Sequence, residues 1–126
     1  MPNPLEETLA FLDADADNLP DGTTASTSYP DGQLDHLHVQ VAWDGTPSDA
    51  DNREDTVVRI TVWGRKGKPL EAPDLAGPLR TRLLRWSSAT CFGVERGSGR
   101  LTGTDAKSQL PFCSFTVGLI LAAPTP

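Results

Sequence analysis

Apolar residues recur along this chain at two different periods. Near the start, Leu5, Leu9, Leu12, Ala16 and Leu19 recur every three or four positions, which predicts one face of a helix. Asn3 stands as its cap, Pro4 suits the first helical position, and Glu6 has the spacing of a capping box. Pro20-Asp21-Gly22 stops that helix. Residues 21–35 are mostly Thr, Ser, Asp, Gly and Pro and predict loop. Then the period becomes two. Leu37, Val39, Val41 and Trp43 alternate with His36, His38, Gln40 and Ala42, the pattern of a strand over 36–43 with one apolar face.

An acidic connection follows at 44–55, too long for a tight hairpin. Residues 56–63 predict a second strand, with Val58, Ile60 and Val62 on one face and Val57, Arg59, Thr61 and Trp63 on the other. A second helix is expected from about Asp74 to Trp86, buried along Leu75, Leu79, Leu83 and Trp86. Pro78 is placed in its first turn, where a missing amide proton costs little. A short strand is expected over 90–96. Gly97-Ser98-Gly99 and Gly103-Thr104-Asp105 are expected as turns. Cys113, Phe115, Val117, Leu119 and Leu121 alternate with smaller residues and Ile120 as a last strand, followed by a short tail from Ala122. The expected fold is one α+β domain over 1–126: a single, mostly antiparallel sheet of about four strands packed against two helices.

The chain has 126 residues, enough for one modest core, and its 11 Pro and 11 Gly imply much loop. Its net charge of -6 conceals a split. Residues 1–55 hold 13 acidic residues against one basic residue, Arg53, a balance of -12. Residues 56–126 hold 4 acidic against 10 basic, a balance of +6. Such asymmetry suits head-to-tail contact between copies, or simply a soluble protein with an acidic, loop-rich half. There is no apolar run of about 18 residues to span a membrane. Met1-Pro2-Asn3-Pro4 lacks the regions of a secretory signal, so folding in a cytoplasm is expected. Cys91 and Cys113 are then expected as buried apolar residues, with their pairing left open.

Sites of bond-making chemistry do not emerge. Asp13-Ala14-Asp15-Ala16-Asp17 resembles a calcium loop, but the required Gly and Glu positions hold Asn18 and Thr24. His36 and His38 lack a third ligand at a matching spacing and are expected as surface histidines. Gly64-Arg65-Lys66-Gly67-Lys68 has two residues between its glycines, where a phosphate loop has four, and Pro69 follows the lysine. It reads as a basic turn that meets solvent, an acidic neighbour or a nucleic-acid backbone. Ser98 lacks the Gly-x-Ser-x-Gly frame of a nucleophile elbow. No catalytic, cofactor-binding or metal residue is expected. Trp43 and Trp63 are expected in the core, with an interface anchor as the alternative.

The amphipathic first helix, the strand ending Val41-Ala42-Trp43, the Asp55-to-Gly64 strand with Val62-Trp63-Gly64, the Leu75-Ala76-Gly77-Pro78-Leu79-Arg80 helix and the closing Phe115-to-Leu121 strand together resemble the tail terminators (minor tail or tail-completion proteins) of long-tailed bacteriophages. The resemblance runs over most of the chain and rests on order, spacing and length. It implies a virion protein, made in the host cytoplasm, that forms a hexameric ring at the head-proximal end of the tail. Such a ring ends tube polymerisation and presents the surface that joins the head. Its partners would be its own copies, the tail tube protein and a head-completion or neck protein. Genomic DNA would pass through the lumen without specific binding, and no enzyme activity or cofactor is implied.

On this basis the charged candidates for subunit or partner contact are Asp49, Asp51, Arg53 and Glu54 in the acidic connection, Arg65, Lys66 and Lys68 in the basic turn, and Arg80, Arg82 and Arg85 on the second helix. A head-side neck protein is the alternative within the same class. A small nucleic-acid-binding or regulatory protein using the basic half is the alternative from another class, and the net acidic charge opposes it.

Overall fold

A computed structural model of the protein describes residues 3–30, 32, 34–43 and 57–121. Helix α1 spans Pro4–Ala14 and is followed by a 3-10 turn at Ala16–Asn18. Strands β1 (Thr24–Ser26), β2 (His38–Trp43) and β3 (Val57–Trp63) precede helix α2 (Glu71–Leu83), and β4 (Cys91–Arg96), β5 (Leu101–Thr104) and β6 (Pro111–Leu121) follow it. The expected connection at 44–55 and the tail from Ala122 lie outside the described residues.

The class is α+β, but the sheet departs from expectation. It has six strands rather than about four, in the order β1-β2-β3-β6-β4 with β5 also on β6, and it is mixed. β1 runs parallel to β2, pairing Thr24 with His38 and Ser26 with Gln40. The segment expected as loop therefore supplies an edge strand. Its Thr-Ala-Ser sequence carries no apolar alternation, so only pairing with β2 makes it a strand. β5 is equally silent in sequence, because all four of its residues are exposed. β3 occupies one side of β6, and β4 and β5 share the other, opposite 117–121 and 111–114. Gly97-Ser98-Gly99 thus interrupts one edge and does not reverse the chain. The Gly97 amide still donates to the Thr116 carbonyl at 3.1 Å.

Asn3 caps α1 as expected: its Oδ1 accepts from the Leu5 amide at 2.8 Å and the Glu6 amide at 3.3 Å. The helix stops at Ala14, short of Leu19, with no basic residue in its last turn. Asp13 and Asp15 there oppose the negative end of the helix dipole. The buried stripe centres on Thr8, Phe11 and Leu12, while Leu5, Leu9 and Leu19 sit partly buried on its margins. Thr8 is tolerated inside because its hydroxyl donates to the Pro4 carbonyl at 2.8 Å.

α2 starts three residues before the expected Asp74, so Pro73 and not Pro78 lies in its first turn. Pro78 is inside the helix. The donor it lacks would have served the Asp74 carbonyl, and both residues are exposed, so solvent can take its place. Leu75, Leu79 and Leu83 are buried as expected, joined by Ala72 and Ala76. Trp86 lies beyond the helix and meets Phe11 edge to face, with ring centres 5.5 Å apart.

The core lies between these helices and one face of the sheet. Registered pairs place Val41, Ile60 and Phe115 in one row and Val39, Val62 and Cys113 in the next. Phe115 is completely buried, which stabilises by roughly 1.5–3 kcal/mol for one such side chain. α1 packs over β1, β2 and β3, and α2 over β3 and β6. Trp43 ends β2 half-exposed, whereas Trp63 is buried on the outer face. Its indole donates to Gln40 Oε1 at 3.0 Å, and its ring packs on Phe112.

Candidate functional site

The candidate residues are charged side chains, and the fold decides which of them are paired. Among the described residues no three His, Cys, Asp or Glu side chains gather where a metal could bind, and no helix is long and apolar enough to cross a membrane. Asp49, Asp51, Arg53 and Glu54 lie outside the described residues. The six remaining candidates divide into structural ion pairs and uncommitted cations.

Arg65 belongs to the first group. It leaves β3 and donates from Nε to Glu71 Oε1 at 2.9 Å and from Nη2 to Oε2 at 2.5 Å. This fork ties the basic turn to the first turn of α2. It holds the Glu71 carboxyl below its ordinary range, through the hydrogen bonds first and the guanidinium charge after them. Lys66 and Lys68 extend into solvent from that turn, which closes when the Lys68 amide donates to the Arg65 carbonyl at 3.1 Å.

Arg82, a candidate for partner contact, is instead paired within the fold. Its Nε donates to Asp15 Oδ1 at 3.0 Å and Oδ2 at 2.9 Å. The Asp15 side chain is 8% exposed and takes a further bond from Asn18 Nδ2 at 2.9 Å. The pair fastens the end of α1 to α2. A carboxylate this buried needs such partners.

Arg80 and Arg85 are different. Successive α-helical residues are about 100° apart, so Arg80 and Arg82 leave α2 on nearly opposite sides. Arg80 and Arg85 turn toward β4 and, with Thr81, Leu84, Val94 and Arg96, line a cleft of about 320 Å³. Among the described residues none of these three arginines has an ion-pair partner, and Arg80 Nε is shielded from solvent with no acceptor. Arg100 adds a fourth guanidinium one turn earlier along α2. Its Nη1 lies 2.8 Å from where a Cβ on Gly77 would stand, so the guanidinium rests against the helix backbone there. Arg96 and Arg100 were missed because nothing in their spacing links them to Arg80. The only signal was the basic excess of the second half.

The other flank of α2 has the opposite character. A groove of about 520 Å³ runs between α2 and the 3-10 turn, lined by Asp17, Glu71, Asp74, Pro78 and Arg82 among others. Arg65 takes Glu71 and Asp15 takes Arg82, which leaves Asp17 and Asp74 as exposed carboxylates without a partner among the described residues.

His38 is not the surface histidine expected. It is 8% exposed, and β1 encloses it: Thr24 Oγ1 lies 2.7 Å from Nδ1, and Ser26 Oγ and the Ser28 carbonyl lie 3.2 Å from Nε2. Burial lowers its pKa, the Ser28 carbonyl opposes that shift, and His36 adds to it. Ser98 is likewise occupied structurally, accepting from the Thr116 hydroxyl at 3.0 Å. Cys91 and Cys113 are both buried free thiols.

No protein-family model matches the chain, and no curated protein or solved structure shows significant similarity to it.

Proposed function

We propose that this protein is a structural component of a long-tailed phage virion, a tail terminator that caps the tail tube, ends its polymerisation and presents the surface to which the head joins. The observation that carries this reading is the division of charge across α2. One flank presents Asp17 and Asp74, and the other presents Arg80, Arg85 and Arg96, all without partners among the described residues. A subunit with two unlike, complementary surfaces meets its copies head to tail, and such contacts close into a ring when the rotation permits.

In this role a hexameric ring sits at the head-proximal end of the tail. It touches the tube protein on one side and a head-completion or neck protein on the other. Genomic DNA passes through the lumen without specific binding, and the work needs no cofactor.

The test is electron microscopy of infected cells in which this polypeptide is not made. Overlong tubes beside unattached, filled heads are expected, with normal particles restored by supplying the protein in trans. Tails of normal length without heads would shift the assignment to a head-side neck protein. Tails of normal length carrying heads would overturn the proposal.

A further inference from the structure

The two flanks of α2 allow the contact to be specified. We propose that the cleft formed by Arg80, Arg85 and Arg96 is a carboxylate-binding surface, and that its occupant is the Asp17–Asp74 flank of a second copy of this chain. The proposal deepens the ring reading and rests on it for biological purpose, but not for its test.

Three features point to an anionic occupant. Guanidiniums from two separate elements, α2 and β4, converge on one cleft although no carboxylate reaches it among the described residues. The end of α2 accounts for part of this, since Arg80 lies in its last turn and favours the negative end of the dipole. Arg96, on β4, has no such explanation. Arg80 Nε is shielded from water with its donor unused, which is costly until an acceptor arrives. The floor is partly apolar, from Leu84 and Val94, so a charge seated there is screened less than in open water.

Carboxylates fit better than a nucleic-acid backbone. A polyanionic strand is held by a basic stripe that follows its phosphates. Here Arg80, Arg85 and Arg96 form one compact cluster on a chain of net charge -6, and Lys66 and Lys68 stand apart from it in the turn before α2. The acidic flank of the same molecule cannot fill the cleft, because α2 stands between them and the Arg82–Asp15 pair holds the 3-10 turn on the far side. A second copy has no such obstacle. It leaves its own cleft and its own acidic flank open at the two ends, so association continues head to tail.

The test uses purified full-length protein and two double variants, Arg85→Glu/Arg96→Glu and Asp17→Lys/Asp74→Lys. All four positions are on the surface, and circular dichroism and thermal melting verify folding; Arg96→Glu and Asp17→Lys alone serve if a double variant misfolds. Sedimentation equilibrium is recorded at ~50 mM and ~500 mM salt, where screening lengths differ about threefold. The wild-type chain is expected to self-associate at low salt and dissociate at high salt. Each variant alone should weaken association at least ~10-fold. Mixed in equal amounts, they should associate again, since each retains one intact surface and the two reversed surfaces carry opposite charges.

A wild-type chain that stays monomeric throughout, variants that associate like the wild type, or a mixture that fails to pair would each overturn the proposal. So would a labelled oligonucleotide that binds the wild type more tightly than a second copy does and is released by Arg85→Glu/Arg96→Glu, because the cleft would then serve phosphates. Purified protein suffices for these measurements, so their failure is distinguishable from a failure of the tail assignment in infected cells.

Discussion

Arg82 holds both carboxylate oxygens of Asp15 from a single nitrogen, at 3.0 and 2.9 Å, across 67 positions of sequence. The bond joins the end of α1 to the last turn of α2. It also separates Arg82, which has a structural duty, from Arg80 in the same helix and Arg85 just beyond it, which have no ion-pair partner among the described residues.

Arg82→Ala should therefore destabilise the protein by about 1–3 kcal/mol, because it strands a largely buried carboxylate. Arg85→Ala, at an exposed position with no partner among the described residues, should stay within about 0.5 kcal/mol of wild type. Urea unfolding midpoints of the two variants check this. Equal values would mean that the Asp15 pair contributes little.

His38 makes stability depend on pH in a defined direction. Burial lowers its folded pKa below the ordinary value of about 6.5. Between those two values the unfolded chain binds more protons, so stability rises with pH there. The contribution of His38 is complete above the ordinary value and is lost as pH falls toward the folded value. Unfolding measured across that window should show a drop in the wild type that is smaller in His38→Gln. A parallel drop in both would assign the effect to other groups.

Gly97 approaches β6 too closely for a side chain. A Cβ there would stand 2.5 Å from the Thr116 carbonyl oxygen and closer still to its hydroxyl. Gly97→Ala should cost about 1–3 kcal/mol through a shifted edge strand. At Gly99 a Cβ would meet nothing within 4 Å, and Gly99→Ala should be nearly neutral. Thermal melts of the two variants make the comparison.

The thiols should be inert in the native protein. Cys91 and Cys113 are fully buried, and burial raises both thiol pKa values, so little thiolate exists to react. A colorimetric thiol reagent at pH 8 should titrate close to none in buffer and both in guanidinium chloride. Rapid native reaction would show that the β6 core opens readily.

The residues that carried the fold in sequence were those whose apolar neighbours repeat at one period. Val39–Val41, Val58–Val62, Cys113–Leu121 and Leu75–Leu83 announced their elements because burial on one face imposes that repeat. β1 and β5 were illegible because their residues bury little, and they exist only by hydrogen bonding to strands already placed. The start of α2 was misplaced for a related reason: Glu71 gains its position from Arg65, a side-chain contact that no period records.

The chain alone determined the α+β class and the division of charge between its two halves, since composition and periodicity are local properties. Only tertiary structure decided which charges remained unspent. Pairing depends on side chains meeting across elements far apart in sequence, so Arg65 and Arg82 were consumed within the fold while Arg96 was brought to Arg80 and Arg85.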